Sequence, residues 1–400
     1  MKTQYFVLHL RLTKKCNADC LYCSSWQEDP HRMSLSEVKE SIRFIFEKAL
    51  PRVGINPSYV TIAYIGGEIL TYPESELNLI VRWVRSYFAL RNIDISDGVQ
   101  TNLICSPERA KRVYDLFDGR VGTSIDASTQ QRTLKGSHEH YAYIWNTADE
   151  GLADERHRLP AVLVVDKKSI PNIHEQLLAE SRKGRAVTLR PLFAGGNTVH
   201  MPSSDEVLSV MTDAFKNWFL KTLVIVEPFT YMLQGRLNVL CGKESISISG
   251  CPNQSDCAKR SLSLDPNGDL YLCQESADAD INKLGNAIDA TFDVNAWEII
   301  DGRRDHLPLD CRQCSYIETC HGGCAFEAQS AGLGIYGQTP NCKIWKSLYH
   351  EIDAGIKEFS QDRVQRWLNV VLKRNQHLID AGRASIDKHS TNDLIAVETS

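Results

Sequence analysis

The sequence has no long run of basic residues, no apolar run of membrane-spanning length and no N-terminal apolar stretch long enough for a signal peptide. With 45 Lys and Arg against 50 Asp and Glu, the formal charge is −5, so no general affinity for nucleic acid or for an anionic membrane surface is expected. The first apolar run, Tyr5-Phe6-Val7-Leu8-His9-Leu10, stops at Arg11, too early for secretion or for a span. The chain therefore reads as cytoplasmic. It also lacks internal repeats and low-complexity blocks, which excludes a repeat array. What it has is thiol: 13 cysteines in 400 residues. In a reducing compartment these argue for metal or redox sites over disulfides. They are grouped, with three between positions 16 and 23 and nine between 241 and 342.

An apolar content of 42% suits a globular protein, and the length predicts two to three domains. From residue 4 to 190, short β-rich runs alternate with helical patterns, which predicts strand–helix repeats and a parallel sheet. Strands are expected near 4–12, 58–65, 95–101, 120–126, 160–165 and 186–192. Ser34-Leu35-Ser36-Glu37 reads as a capping box that opens a helix. A further helix is expected near 204–221, with a boundary around Pro228. Ile344, Trp345, Leu348, Tyr349, Ile352, Ile356 and Phe359 keep helical spacing, and so do Trp367, Leu368 and Val371; these predict an apolar face that packs on the rest of the protein. From about Gly382 the chain is polar.

In parallel barrels the chemistry gathers where strand carboxyl ends meet the following loops. The triplet Cys16-x3-Cys20-x2-Cys23 falls there, after the first strand. Three thiolates can hold three irons of a four-iron cube and leave the fourth iron open; a zinc knuckle or three core cysteines are the alternatives. After the second strand comes Ile65-Gly66-Gly67-Glu68. Its glycines let backbone approach a ligand closely, and its carboxylate can pair with an ammonium group; an ordinary strand-end turn is the plainer reading. Gln100 and Asn102 end the third strand, and Ser124 and Asp126 lie on the fourth, either at a ligand or as turn caps. The glycines after the sixth strand, Gly195 and Gly196, could border a ligand. Cys105 and Cys241 read as filler thiols. Eight of the later cysteines make two complete sets of four, enough for two closed clusters, although Cys-x2-Cys pairs also serve zinc. Gly268 is expected in a hairpin turn, and Gly322-Gly323 in a tight wrap.

The triplet with Tyr22 before its third cysteine, the Gly66-Gly67-Glu68 segment and the ordered strand-end motifs resemble the radical S-adenosylmethionine enzymes. The later field, with its Cys257-x10-Gly268-x4-Cys273 element, resembles the SPASM extension of the peptide-modifying members. The resemblance runs from about residue 5 to 345. It implies an α/β fold, a partial (β/α)6 TIM-like barrel over 1–202 and a helix and connector over 203–240. A small cysteine-rich iron–sulfur (SPASM) domain would follow over 241–345, with C-terminal helices and a polar tail over 346–400. It also implies S-adenosylmethionine and three 4Fe-4S clusters. Cys16, Cys20 and Cys23 would hold the cofactor-binding cluster. Cys251, Cys257, Cys273 and Cys324 would hold the first auxiliary cluster, and Cys311, Cys314, Cys320 and Cys342 the second. Contacts to the cofactor are implied for Tyr22, Gly66, Gly67, Glu68, Gln100, Asn102, Ser124, Asp126 and Arg132. Ile69 replaces the family's usual proline.

The function so implied is maturation of a ribosomally synthesised peptide by hydrogen abstraction, with oxidative crosslinking. The alternatives are a formylglycine-generating sulfatase maturase, or an iron–sulfur electron carrier without catalysis. Sulfatase-maturating relatives have an aspartate where this chain has Gln274, which cannot take a proton; Glu275, next along, is expected to point away if the segment is extended. No catalytic base is identified. The expected partners are a peptide or protein side-chain substrate and an electron donor such as flavodoxin or ferredoxin. Because the chain starts at the first barrel strand, a separate leader-binding protein, or direct recognition by the barrel mouth and C-terminal helix, is expected.

Overall fold

Strict alternation along Tyr5–Arg11 builds the first strand, β1. Phe6, Leu8 and Leu10 are wholly buried beneath helices, and Tyr5, Val7, His9 and Arg11 take the opposite, concave face, as period-2 geometry requires. A computed structural model describes residues 4–24, 31–126, 129–153, 158–193, 196–243, 245 and 256–380. Five more strands follow where the sequence places them: β2 (Tyr59–Ile65), β3 (Asp94–Gln100), β4 (Val121–Ile125), β5 (Ala161–Val165) and β6 (Val187–Pro191). Each pairs in parallel with its predecessor. The connecting segments carry the helices, and the one at Leu35–Phe44 opens on the expected capping box of Ser34 and Glu37. On the concave face the Tyr5 hydroxyl donates to Thr61 Oγ1 at 3.0 Å, and Thr61 meets Ser96 at 2.8 Å. The inner face thus carries a polar chain through Tyr5, Thr61 and Ser96, while the outer face packs apolar side chains such as Phe6, Leu8 and Ile62 against the helices.

Two features exceed the six expected strands. A short seventh, β7 (Val226–Glu227), adds in parallel to β6 just before Pro228. On the other edge β8 (Ser261–Leu264) lies parallel to β1, and β9 (Asp269–Tyr271), β10 (Lys283–Asn286) and β11 (Thr291–Phe292) continue antiparallel. The sheet order is β11-β10-β9-β8-β1-β2-β3-β4-β5-β6-β7. The later cysteine field is therefore hydrogen-bonded to the first strand, and the expected division near 241 is no break in the sheet. Gly268 makes the β8–β9 turn at φ +88°, as expected.

The amphipathic run after Asn341 forms helices Cys342–Phe359 and Gln361–Arg374. Ile344, Trp345, Leu348, Tyr349, Ile352 and Ile356 enter a core shared with Val207, Met211, Phe215 and Trp218 of the helix Ser204–Trp218. The predicted apolar face is used for packing. The polar tail from 382 lies outside the described residues.

Candidate functional site

The loop after β1 is held from two sides at the carboxyl ends of the strands. Gly67 N–H donates to Thr13 O at 3.0 Å and Glu68 N–H to Lys15 O at 2.9 Å. A Cβ on Gly66 would lie 2.3 Å from Thr13 O, and one on Gly67 would lie 2.2 Å from Lys14 O and 2.4 Å from Lys15 O. These glycines are thus required for the close approach of the chain's own backbone. On the far side Asp19 N–H donates to Thr133 O at 2.8 Å and Leu21 N–H to Gln131 O at 3.0 Å. Replacing Gly67 with alanine forces two backbone segments apart. We expect a loss of about 3 kcal/mol, the upper end for overpacking, read as a lower denaturant midpoint at unchanged slope.

Glu68 is 2% exposed. Its Oε1 accepts from Leu70 N–H at 2.9 Å and from the Thr101 hydroxyl at 2.7 Å, and its Oε2 accepts from Asn102 N–H at 2.6 Å. Burial raises its pKa against the pull of these three donors. Asn102 continues the network: its amide donates to Asn17 Oδ1 at 2.8 Å and points to Cys16 Sγ at 3.7 Å. The acid after β2, the end of β3 and the first thiol form one connected group.

Arg132 closes the other side. Its Nε donates to the Tyr141 hydroxyl at 2.7 Å and its NH1 to the Tyr22 hydroxyl at 3.0 Å. Asp126 accepts from the backbone N–H groups of Gln131 and Arg132 at 2.7 and 2.8 Å, which fixes the segment that straps the cysteine loop. Asp126 is thus a turn cap that acts on the site through Arg132. Gln100 donates to Thr123 O at 2.7 Å and to Ser124 Oγ at 3.2 Å, so this pair sits together on the concave face. Sequence reasoning missed Asn17, Thr101 and Tyr141. A lone tyrosine on the helix His138–Leu152 carries no motif.

Cys16, Cys20 and Cys23 are half-buried. Burial first, then the negative charges of Glu68, Cys20 and Cys23, push the Cys16 thiol up to about 12, while Ala18 N–H opposes the rise. Burial raises Cys20 as well. Three thiols that repel one another as thiolates fit a cationic group that would neutralise them. Among the described residues no three His, Cys, Asp or Glu side chains converge on a single ion.

In the later field Cys251 lies outside the described residues, as do Ala194 and Gly195 after β6. Cys273 and Cys311 are buried, and Cys257, Cys314, Cys320, Cys324 and Cys342 half-buried. Burial pushes Cys273 up to about 11 and Cys320 up to about 12. Gly322 and Gly323 have φ of +81° and +72°. Both carbonyls accept from the buried Arg303, at 3.1 and 3.4 Å. Arg303 also feels Cys324, Cys257, Cys311 and Cys320, a cation among thiols that no spacing rule marks. Glu275 departs from expectation. Gln274–Asp278 is a short helix, not extended, and the Glu275 carboxylate pairs with Arg190, whose place in the alternation of β6 is on the concave face. Cys105 is half-buried and feels the charge of Glu68, and Cys241 is exposed and accepts from Gln361 Nε2 at 3.0 Å.

No family model matches the sequence. An uncharacterised protein of Archaeoglobus fulgidus is 20% identical over 355 residues, covering 85% of this chain and 79% of that protein. Among solved structures, anSMEcpe with bound AdoMet aligns with a TM-score of 0.72 at 16% identity, covering 93% of this chain and 99% of that one. SuiB of Streptococcus suis, bound to S-adenosylmethionine, aligns at 0.53 and 14% identity, over 85% of this chain and 77% of that one. Another structure of SuiB holds the precursor peptide SuiA. The chain thus has the fold of the radical S-adenosylmethionine enzymes with a SPASM extension.

Proposed function

We propose that this protein is a radical S-adenosylmethionine enzyme that removes hydrogen from a carbon of a peptide substrate. The observation that carries the reading is the joining of a buried acid, Glu68, through Asn102 to Cys16, the first of three half-buried thiols in one loop at the carboxyl ends of parallel strands. Cys16, Cys20 and Cys23 would hold a four-iron cluster with one iron left for the cofactor. Bound S-adenosylmethionine supplies, when reduced, a primary carbon radical that takes the hydrogen. A carboxylate offers about four acceptor positions, and Glu68 uses three on its own chain. The remaining position can take the methionyl ammonium, whose charge offsets the burial of the acid. Arg132 has N–H donors beyond the two given to tyrosines, suited to a carboxylate or a ribose. Two auxiliary clusters on the later cysteines, fed by a flavodoxin or ferredoxin, would move electrons.

The substrate class we favour is a ribosomally synthesised peptide, oxidised or crosslinked. Gln274 in place of an acid supports this, as does the likeness to SuiB. The formylglycine-generating reading has two observations in its favour: anSMEcpe, an anaerobic sulfatase-maturating enzyme, is matched over 99% of its length, and Glu275 faces the concave side beside Cys273. Glu275→Gln separates them. If Glu275 accepts the proton of an oxidised alcohol or thiol, product formation falls on the order of 100-fold or more, while 5′-deoxyadenosine still forms. Undiminished aldehyde formation removes Glu275 from that role. The substrate itself is tested by mass spectrometry of a peptide encoded beside this gene after co-expression. A loss of two hydrogens supports oxidation or ring closure, and an unchanged mass rejects that peptide.

A further inference from the structure

Arg11, at the carboxyl end of β1, is fully buried on the concave face. Its NH1 lies 3.1 Å from Asp265 Oδ1 and its NH2 lies 2.7 Å from Asp278 Oδ1. Lys14 Nζ lies 2.7 Å from the second oxygen of Asp265. The Ser24 hydroxyl donates to the second oxygen of Asp278 at 3.1 Å. Both acids are almost wholly buried, with side chains 2% and 3% exposed.

The placement of these groups along the chain is informative. Lys14 precedes Cys16 by two residues, and Ser24 follows Cys23 directly. Asp265 lies in the turn between β8 and β9, where its N–H donates to Asp269 O at 2.9 Å, and Asp278 closes the short helix that follows Cys273. The two acids thus flank Cys273 in the chain and grip the cysteine loop at both of its ends. Arg11 joins the two grips, and the four side-chain charges of the group cancel. A neutral, buried, multiply bonded group of this kind has one good arrangement. Neither the cysteine triplet nor the Gly-Gly-Glu segment contains any member of it.

We infer that Asp265 and Asp278 are positioning residues for the cysteine loop, so that the later cysteine field sets the geometry of the first. The consequence for chemistry rests on the proposed function; the mechanical coupling does not. Loop displacement by about 1 Å is enough to slow a positioned reaction on the order of 100-fold. Loss of either grip leaves the three thiols able to take iron but misplaced relative to Glu68, whose own position is fixed by Thr101 and Asn102.

The test compares full-length wild type, Asp278→Asn and Ser24→Ala, each reconstituted anaerobically with iron and sulfide. Hydrogen exchange of peptides covering residues 13–24 is the first readout, and it does not depend on the cofactor. The second is the change in the electron paramagnetic resonance signal of the reduced protein on adding S-adenosylmethionine, together with the rate of 5′-deoxyadenosine formation. Asp278→Asn is expected to keep its iron, to exchange about tenfold faster over 13–24, to show an altered cofactor-induced signal and to cleave on the order of 100-fold more slowly. Ser24→Ala, which removes one bond and no charge, is expected to change in the same direction by less. Wild-type exchange over 13–24, or a wild-type signal and rate in the loaded Asp278→Asn protein, overturns the inference; if that variant does not load, the same readouts on Ser24→Ala decide. A wild-type protein whose signal ignores S-adenosylmethionine overturns the proposed function instead, and the exchange data still judge the coupling.

Discussion

Replacing Cys16, Cys20 and Cys23 together with alanine is expected to abolish S-adenosylmethionine cleavage while about eight of about twelve irons stay bound, since the three proposed cubes would hold four each. The argument is structural as well as chemical. The loop is fixed by backbone bonds from Gly67 and Glu68 on one side and to Gln131 and Thr133 on the other, and none of these involves a thiol. The sheet and the later cysteines should therefore fold around an empty loop. Iron analysis and chromatography of 5′-deoxyadenosine read the two halves of the result. Iron falling to near zero would mean that the later clusters depend on the first. Retention of all the iron would remove these cysteines from the cluster.

The largest effect on stability is expected at Arg11. Arg11→Met preserves much of the volume but leaves buried Asp265 with Lys14 alone and takes the guanidinium away from buried Asp278. Breaking a buried pair by removing one partner costs about 3–5 kcal/mol, a large share of the roughly 5–15 kcal/mol that holds a typical domain. The double variant Arg11→Met/Asp278→Asn removes the stranded charge and should recover part of the loss. The check is the denaturant midpoint of both proteins under one condition. Equal midpoints for Arg11→Met and wild type would show that the network contributes nothing to folding.

Sequence showed the six parallel strands because each is a short β-rich run followed by a helix with 3.6-residue spacing. Ser34 with Glu37, and the apolar face from Ile344 to Phe359, were legible for the same reason: their signals are local. The joining of β8 to β1 was not, since Leu262 and Leu264 pair with Leu8 and Leu10 across some 250 residues and a parallel pairing leaves no turn signature. The two-residue β7 is too short to show periodicity. At the site, Gly66-Gly67-Glu68 was found by its motif, but a second reason for its glycines was hidden, because a Cβ clash with Lys14 O appears only once the cysteine loop is placed. The hold of Arg132 on Tyr22 and Tyr141 was not legible, since it joins residues far apart in the chain. Arg303, Asp265 and Asp278 belong to no pattern. Their roles come from burial beside thiols and charges that folding alone brings near.

The most direct test is the electron paramagnetic resonance spectrum of the reduced, anaerobically reconstituted protein with and without S-adenosylmethionine, followed by analysis for 5′-deoxyadenosine. The account requires a cofactor-dependent change that disappears in the Cys16, Cys20 and Cys23 triple variant, with 5′-deoxyadenosine formed only by the wild type. A protein loaded with iron whose spectrum is identical in both conditions and which forms no 5′-deoxyadenosine would contradict it, leaving an iron–sulfur protein that carries electrons and does not activate S-adenosylmethionine.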